Sequence, residues 1–154
     1  MKPRLNALLS SLSFVLLGSA CSTQGNSPQL GTLSYEEALQ AYHGSGRDEI
    51  YRCIHELAND QYQVVPPAKP IAIVIDDVLY LKLAGTLTEL TQIRLDEKSA
   101  SFADASTATE AGYTIVKQFN FSEYRESDDR YVDFWINTPT WKQQLRTFGN
   151  RCGI

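Results

Sequence analysis

The chain has 154 residues, with 18 acidic and 14 basic side chains and a net charge of −4. That length suits one domain. The acidic balance excludes a nucleic-acid binder, which needs a basic stripe, and broad electrostatic adhesion to anionic lipid headgroups.

Lys2 and Arg4 precede an apolar run over 5–17, and small residues then lead to Cys21. A run this short cannot span a bilayer core of about 30 Å, which takes about 20 apolar residues. It has the form of a cleavable secretory signal. Leu17-Gly18-Ser19-Ala20-Cys21 resembles the lipobox of bacterial lipoproteins, with Gly18 where that family usually carries Leu. The resemblance implies a diacylglycerol on the Cys21 sulfur, cleavage before it, and a further acyl chain such as palmitate on its new amine. Ser22 rather than Asp follows the cysteine, which by the same resemblance implies the outer membrane over the inner one, with the domain facing the periplasm. A single acyl chain binds a membrane only marginally, and two or three make the anchor durable. Cleavage removes Lys2 and Arg4, which takes the 14 basic side chains to 12 against 18 acidic ones, a net charge near −6.

With Cys21 acylated, Cys53 and Cys152 remain. An even cysteine count in an oxidising compartment predicts a disulfide. Closing so long a loop is worth roughly 4–5 kcal/mol by loop-closure entropy.

Residues 1–20 are therefore read as signal peptide, 21–33 as a lipidated flexible tether and 34–154 as one domain. The tether is small and polar and cannot bury enough apolar surface to order itself. Ser34 with Glu37 forms a capping box, and Tyr35, Ala38, Leu39 and Tyr42 recur on one helical face. Gly44 stops that helix. The stripe Ile50, Cys53, Ile54, Leu57 and Ala58 predicts a second helix over 47–62, so the two form a hairpin. Pro66, Pro67 and Pro70 end the helical part.

The rest reads as sheet. Segments 71–75 and 78–83 are apolar and rich in β-branched residues, and 87–95 is a third strand. Small polar residues over 99–112 predict a loop. Segments 113–124 and 131–137 alternate as strands, separated by turn chemistry at 126–129. Pro139 opens a short C-terminal helix carrying Trp141, Leu145 and Phe148. Helices followed by strands predict an α+β fold: an N-terminal helical hairpin packed on an antiparallel sheet of about four or five strands, with a short C-terminal helix.

Three constellations touch on chemistry. His55-Glu56 starts a helical His-Glu-x-x-His zinc pattern, but Asn59 stands where the second imidazole belongs. The run 71–77, a strand ending in Asp76-Asp77, resembles the first metal motif of divergent polysaccharide deacetylases. That family carries further histidine ligands downstream, and here none follows position 55. A turn with both carboxylates in solvent is the plainer reading. His43 lies two residues from Ser45 in a helix-ending turn, which does not make a nucleophile and base. No catalytic residue, metal or cofactor is assigned.

Tyr124, Tyr131, Trp135 and Trp141 offer a recognition chemistry instead. On the 131–137 strand, Val132, Phe134 and Ile136 form the inward set, which leaves Tyr131, Asp133 and Trp135 on the opposite face. Amphipathic aromatics beside charge are common at binding surfaces. The expectation is a lipid-anchored, non-enzymatic envelope binding module of the inhibitor, immunity or assembly-accessory type. Its partners would be the membrane through Cys21 and an envelope protein or polymer. The alternative is a small hydrolase of peptidoglycan or polysaccharide that would use Asp76 or Asp77 with His43 or His55.

Overall fold

The computed structural model describes residues 30–119 and 127–154. The expected signal peptide, Cys21 and most of the tether lie outside the described residues, as does Tyr124. The elements are β1 (Leu30–Gly31), α1 (Tyr35–Gly44), β2 (Arg52–Ala58), β3 (Pro70–Ile75), β4 (Val78–Leu83), β5 (Thr86–Leu95), β6 (Ser99–Asp104), β7 (Thr109–Phe119), β8 (Ser127–Asn137) and β9 (Lys142–Gly153).

Strands β2 to β9 follow one another around an antiparallel meander, and β9 pairs back onto β2. The result is a closed eight-stranded barrel. Closure leaves no long unpaired edge. This overturns the α+β expectation of a helical hairpin on a sheet of four or five strands. The segment expected to form the second helix is strand β2. Its seven residues fit either period, as short apolar segments do. Two of the residues that drew the helical stripe are on the surface, Ile50 at 69 % exposure and Leu57 at 37 %. Cys53 and His55 alternate into the barrel instead, and pairing with β3 on one side and β9 on the other decides the conformation.

The expected C-terminal helix is strand β9. Trp141 and Pro139 belong to the turn before it, where Thr138 Oγ1 accepts from Trp141 N at 3.1 Å. The expected loop over 99–112 is β6 and the first part of β7. Its small residues serve the packing: Ala100 and Ala111 face inward and leave room for Phe102 and Phe134, all fully or nearly fully buried.

The interior is filled by Cys53, Val74, Leu79, Leu81, Leu90, Phe102, Phe134 and Ile136, among others. A second cluster lies outside the barrel wall, where Ala38 and Tyr42 of α1 cover Ile73, Ile75, Val78 and Tyr80. Strand β3 is thus buried on both faces, which is why it reads as an unbroken apolar run. Helix α1 starts as its capping box predicts. Ser34 Oγ accepts from Glu37 N at 3.1 Å, and the Glu37 carboxylate also takes Lys82 Nζ of β4 at 2.8 Å.

Leu30 and Gly31, expected within the tether, pair with Leu83 and Lys82 of β4 instead. They occupy the edge of β4 that β3 leaves free before Pro70. Cys53 and Cys152 are bonded, as their count predicts. The bond ties the first barrel strand to the last across the seam that closes the barrel.

Candidate functional site

The barrel wall carries a groove on the outer face of β7, β8 and β9. Alternation along β8 sends Val132, Phe134 and Ile136 inward and Tyr131, Asp133 and Trp135 outward, as the sequence indicates. Cross-strand register then sets two rows. Gly112, Trp135 and Gln144 stand side by side, and so do Thr114, Asp133 and Arg146. The loop between β2 and β3 borders them. Asn59 Oδ1 accepts from Gln61 N and Gln63 N, both at 3.0 Å, which folds the loop so that Asp60 faces the strands. The groove so formed encloses about 570 Å³.

Trp135 is half-buried, and its position follows from Gly112. A Cβ at residue 112 would lie 2.7 Å from Trp135 Cζ2 and 2.5 Å from Ala100 O. Cζ2 and Cε2 of the indole therefore occupy the space that a side chain at residue 112 would fill. Asp133 is exposed, and its Oδ1 accepts from Arg146 Nε at 2.8 Å and Nη2 at 2.6 Å. The bond to Asp133 raises the Arg146 pKa above its ordinary value, and the nearby Asp60 adds to the effect.

Tyr131 is a different case. It is 8 % exposed and packs against Tyr62, Phe119 and Phe148, with ring centroids 4.9–5.4 Å away. Burial raises its phenol pKa. It supports the loop through Tyr62 rather than facing solvent. Arg146 lies 5.0 Å over the Tyr62 ring and Lys117 lies 5.4 Å over it, so two cations also hold the loop down.

Residues 139–148 read as helix hid Gln144 and Arg146, and 99–112 read as loop hid the place of Gly112. The signal available was the period-2 alternation of Gln144 and Arg146 against the inward Leu145 and Thr147.

A second concavity, about 490 Å³, opens at the barrel end where β3 meets β4 and β5 meets β6. Val74, Leu95 and Ile115 form its apolar wall, and Tyr51, Tyr113 and Arg130 its polar floor. Arg130 Nε donates to Asp128 Oδ1 at 3.0 Å, and Gln118 Nε2 donates to Asp128 Oδ2 at 2.8 Å. The Tyr51 and Tyr113 hydroxyls are hydrogen-bonded to each other, and burial is the largest cause that raises both phenol pKa values. Gly149 lies beneath this network, where a Cβ would sit 3.0 Å from both cystine sulfurs and 3.2 Å from Arg130 Cγ. The floor groups are largely bonded to one another, and they close this end of the barrel over its core.

Of the residues named for the hydrolase alternative, His55 stands apart from the other three. His55 is sealed inside the barrel at 0 % exposure. Its Nδ1 is 3.1 Å from Thr147 Oγ1, its Nε2 has no hydrogen-bond partner among the described residues, and Tyr113 and Phe134 flank the ring. Burial, with Arg130 adding a smaller repulsion, brings its pKa down to about 3. His43 is exposed at the end of α1, with Nδ1 2.9 Å from Arg47 O.

Asp76 and Asp77 form a two-residue turn between β3 and β4. Neither is simply solvated. Asp76 Oδ1 accepts from Tyr51 N at 2.7 Å and Ile50 N at 3.2 Å, and its other oxygen accepts from the Tyr42 hydroxyl. Desolvation opposes the Asp76 charge, but these bonds and Arg47 outweigh it and hold its pKa below the usual carboxylate range. Asp77 pairs with Arg47 Nη1 at 2.7 Å. The two carboxylates thus fasten α1 and the approach to β2 onto the turn. Among the described residues no three His, Cys, Asp or Glu side chains are grouped to hold a metal ion. Comparison with protein-family models, curated proteins and solved structures finds no match for the chain.

Proposed function

We propose that this is an exported lipoprotein, anchored through Cys21 to the periplasmic side of the outer membrane, that works as a binding module rather than an enzyme. The groove over β7–β9 is its recognition surface, and the ligand is a component of the envelope. The observation that carries the reading is the arrangement of Trp135, Asp133 and Arg146 around an open groove on a rigid barrel wall. A half-buried aromatic beside a hydrogen-bonded arginine is a common composition of a binding surface. The Cys53–Cys152 bond suits an oxidising compartment.

The hydrolase alternative would draw on Asp76 or Asp77 with His43 or His55. His55 is sealed inside the barrel, while Asp76 and Asp77 are engaged by Tyr42 and Arg47 in the contacts that fasten α1 to the turn, and Arg47 O in turn lies beside His43 Nδ1.

The test has two arms. The Cys21→Ala protein should leave the membrane fraction, and the mature parent should carry an acyl adduct by mass spectrometry. Envelope material retained by the parent on a column should pass through when Trp135→Ala replaces it. Unchanged retention by that variant would remove the groove from the account, and an unacylated mature chain would remove the anchor.

A further inference from the structure

The position of the indole on the barrel wall says more about the ligand. We infer that the β7–β9 groove binds an uncharged, gluco-configured oligosaccharide, a deepening that rests on the groove being the recognition surface.

The argument begins with Gly112. A Cβ there would collide with both the indole and Ala100 O, at 2.7 and 2.5 Å. Cζ2 and Cε2 of Trp135 therefore sit over the glycine, which brings the half-buried indole down against the wall where it lines the groove. A flat aromatic face suits a flat apolar surface. In a gluco-configured pyranose the hydroxyls are equatorial, and the axial C–H groups gather into such a patch on each face of the ring. The electron-rich indole attracts the polarised C–H hydrogens as it attracts cations.

The groups around the indole match the rim of such a ring. Both bonds from Arg146 end on Asp133 Oδ1, and among the described residues none donates to Oδ2. Gln144 stands directly beside Trp135 in register and offers one acceptor and two donors. Thr114, beside Asp133, adds a hydroxyl that both donates and accepts. A sugar hydroxyl is likewise a donor and an acceptor, so mixed groups at the edge of an aromatic plate satisfy it. Purely cationic or purely apolar rims do not.

Charge narrows the class. The groove holds two carboxylates, Asp60 and Asp133, against one guanidinium, Arg146, which is already paired. A phosphorylated, sulfated or uronic-acid polymer would meet net negative charge, with no unpaired cation among the described residues that line the groove. A volume of about 570 Å³ lies within the usual range for ligand sites and accommodates a short run of pyranose rings.

The experiment titrates the full mature lipoprotein, in detergent micelles, with cellotetraose and chitotetraose as neutral gluco-configured probes and oligogalacturonate as the anionic control. The readouts are calorimetry and the indole N–H resonance of Trp135. The expected result is saturable binding of at least one neutral probe, with a shift of the Trp135 resonance and at least tenfold weaker binding by the anionic control. Trp135→Ala should weaken binding at least tenfold. Gln144→Ala, an exposed change that leaves the wall intact, should weaken it several-fold and guards against a folding defect in the tryptophan variant.

Binding that is equal in the parent and both variants overturns the inference. So does the absence of any saturable shift with either neutral probe. If no sugar binds while Trp135→Ala still abolishes retention of envelope protein, the saccharide inference fails and the groove reading survives. If retention too is unaffected, both fail.

Discussion

His55 gives the sharpest test of the interior. The imidazole is fully buried, bonded through Nδ1 to Thr147 and lacking a partner at Nε2 among the described residues, and burial brings its pKa in the folded protein down to about 3. In the unfolded chain it returns to about 6.5. The folded value is the lower one, so the native state keeps the ring neutral while the unfolded chain takes up a proton. Stability is therefore full above about pH 6.5–7 and falls as pH drops toward 3. The slope approaches about 1.4 kcal/mol per pH unit where only the unfolded chain is protonated. Between pH 7.5 and 4.5 the loss comes to about 2.5–3 kcal/mol.

The His55→Gln protein removes the titration while keeping a polar group for Thr147. Urea unfolding at several pH values should show the parent losing that amount across the window and the variant losing little. The window lies above the range where carboxylates with lowered pKa values, such as Asp76, take up protons. Arg130 is the charged group that acts on His55 from β8, and it keeps its charge throughout. Equal slopes in parent and variant would refute the reasoning. So would a His55 ring whose NMR shifts titrate near pH 6.5 in the folded protein.

Other outcomes follow from the same geometry. Removing the bond across the barrel seam with Cys53→Ser should cost roughly 4–5 kcal/mol by loop-closure entropy and leave Cys152 reactive to thiol reagents in denaturant. A midpoint shift well under 1 kcal/mol would mean that the seam holds without it. Gly112→Ala has no room beneath Trp135 and should destabilise by about 1–3 kcal/mol through overpacking, with a changed indole emission. A variant as stable as the parent with unaltered emission would show that the ring does not rest on that backbone. Membrane fractionation of Cys21→Ala should leave the protein soluble, and continued sedimentation with lipid would dismiss the acyl anchor.

Several features were legible from local chemistry alone. The Ser34-x-x-Glu37 box starts a helix wherever it stands, because it satisfies amides within a single turn. The outward set Tyr131, Asp133 and Trp135 follows from strand periodicity, which is a property of the backbone. The Cys53–Cys152 pairing follows from counting once Cys21 is set aside. In each case the determining interaction spans a few residues or needs no geometry.

The errors share one cause. Residues 47–62 and 139–148 carry apolar spacings that fit a helix, and 99–112 carries residues too small to announce a strand. What settles all three is a partner far along the chain. β2 is held by β3 and β9, β9 closes the barrel, and Ala100 and Ala111 are small because Phe102 and Phe134 need the interior. The helix start and the faces of β8 could be read from the chain alone because they rest on contacts a few residues apart, and the disulfide pair because a count of the cysteines names it without any geometry. Closure into a barrel, and with it the rows that bring Gln144 and Arg146 beside Trp135 and Asp133, was decided only by the tertiary structure. Register between strands is a long-range quantity, and no stretch of this chain read in isolation contains it.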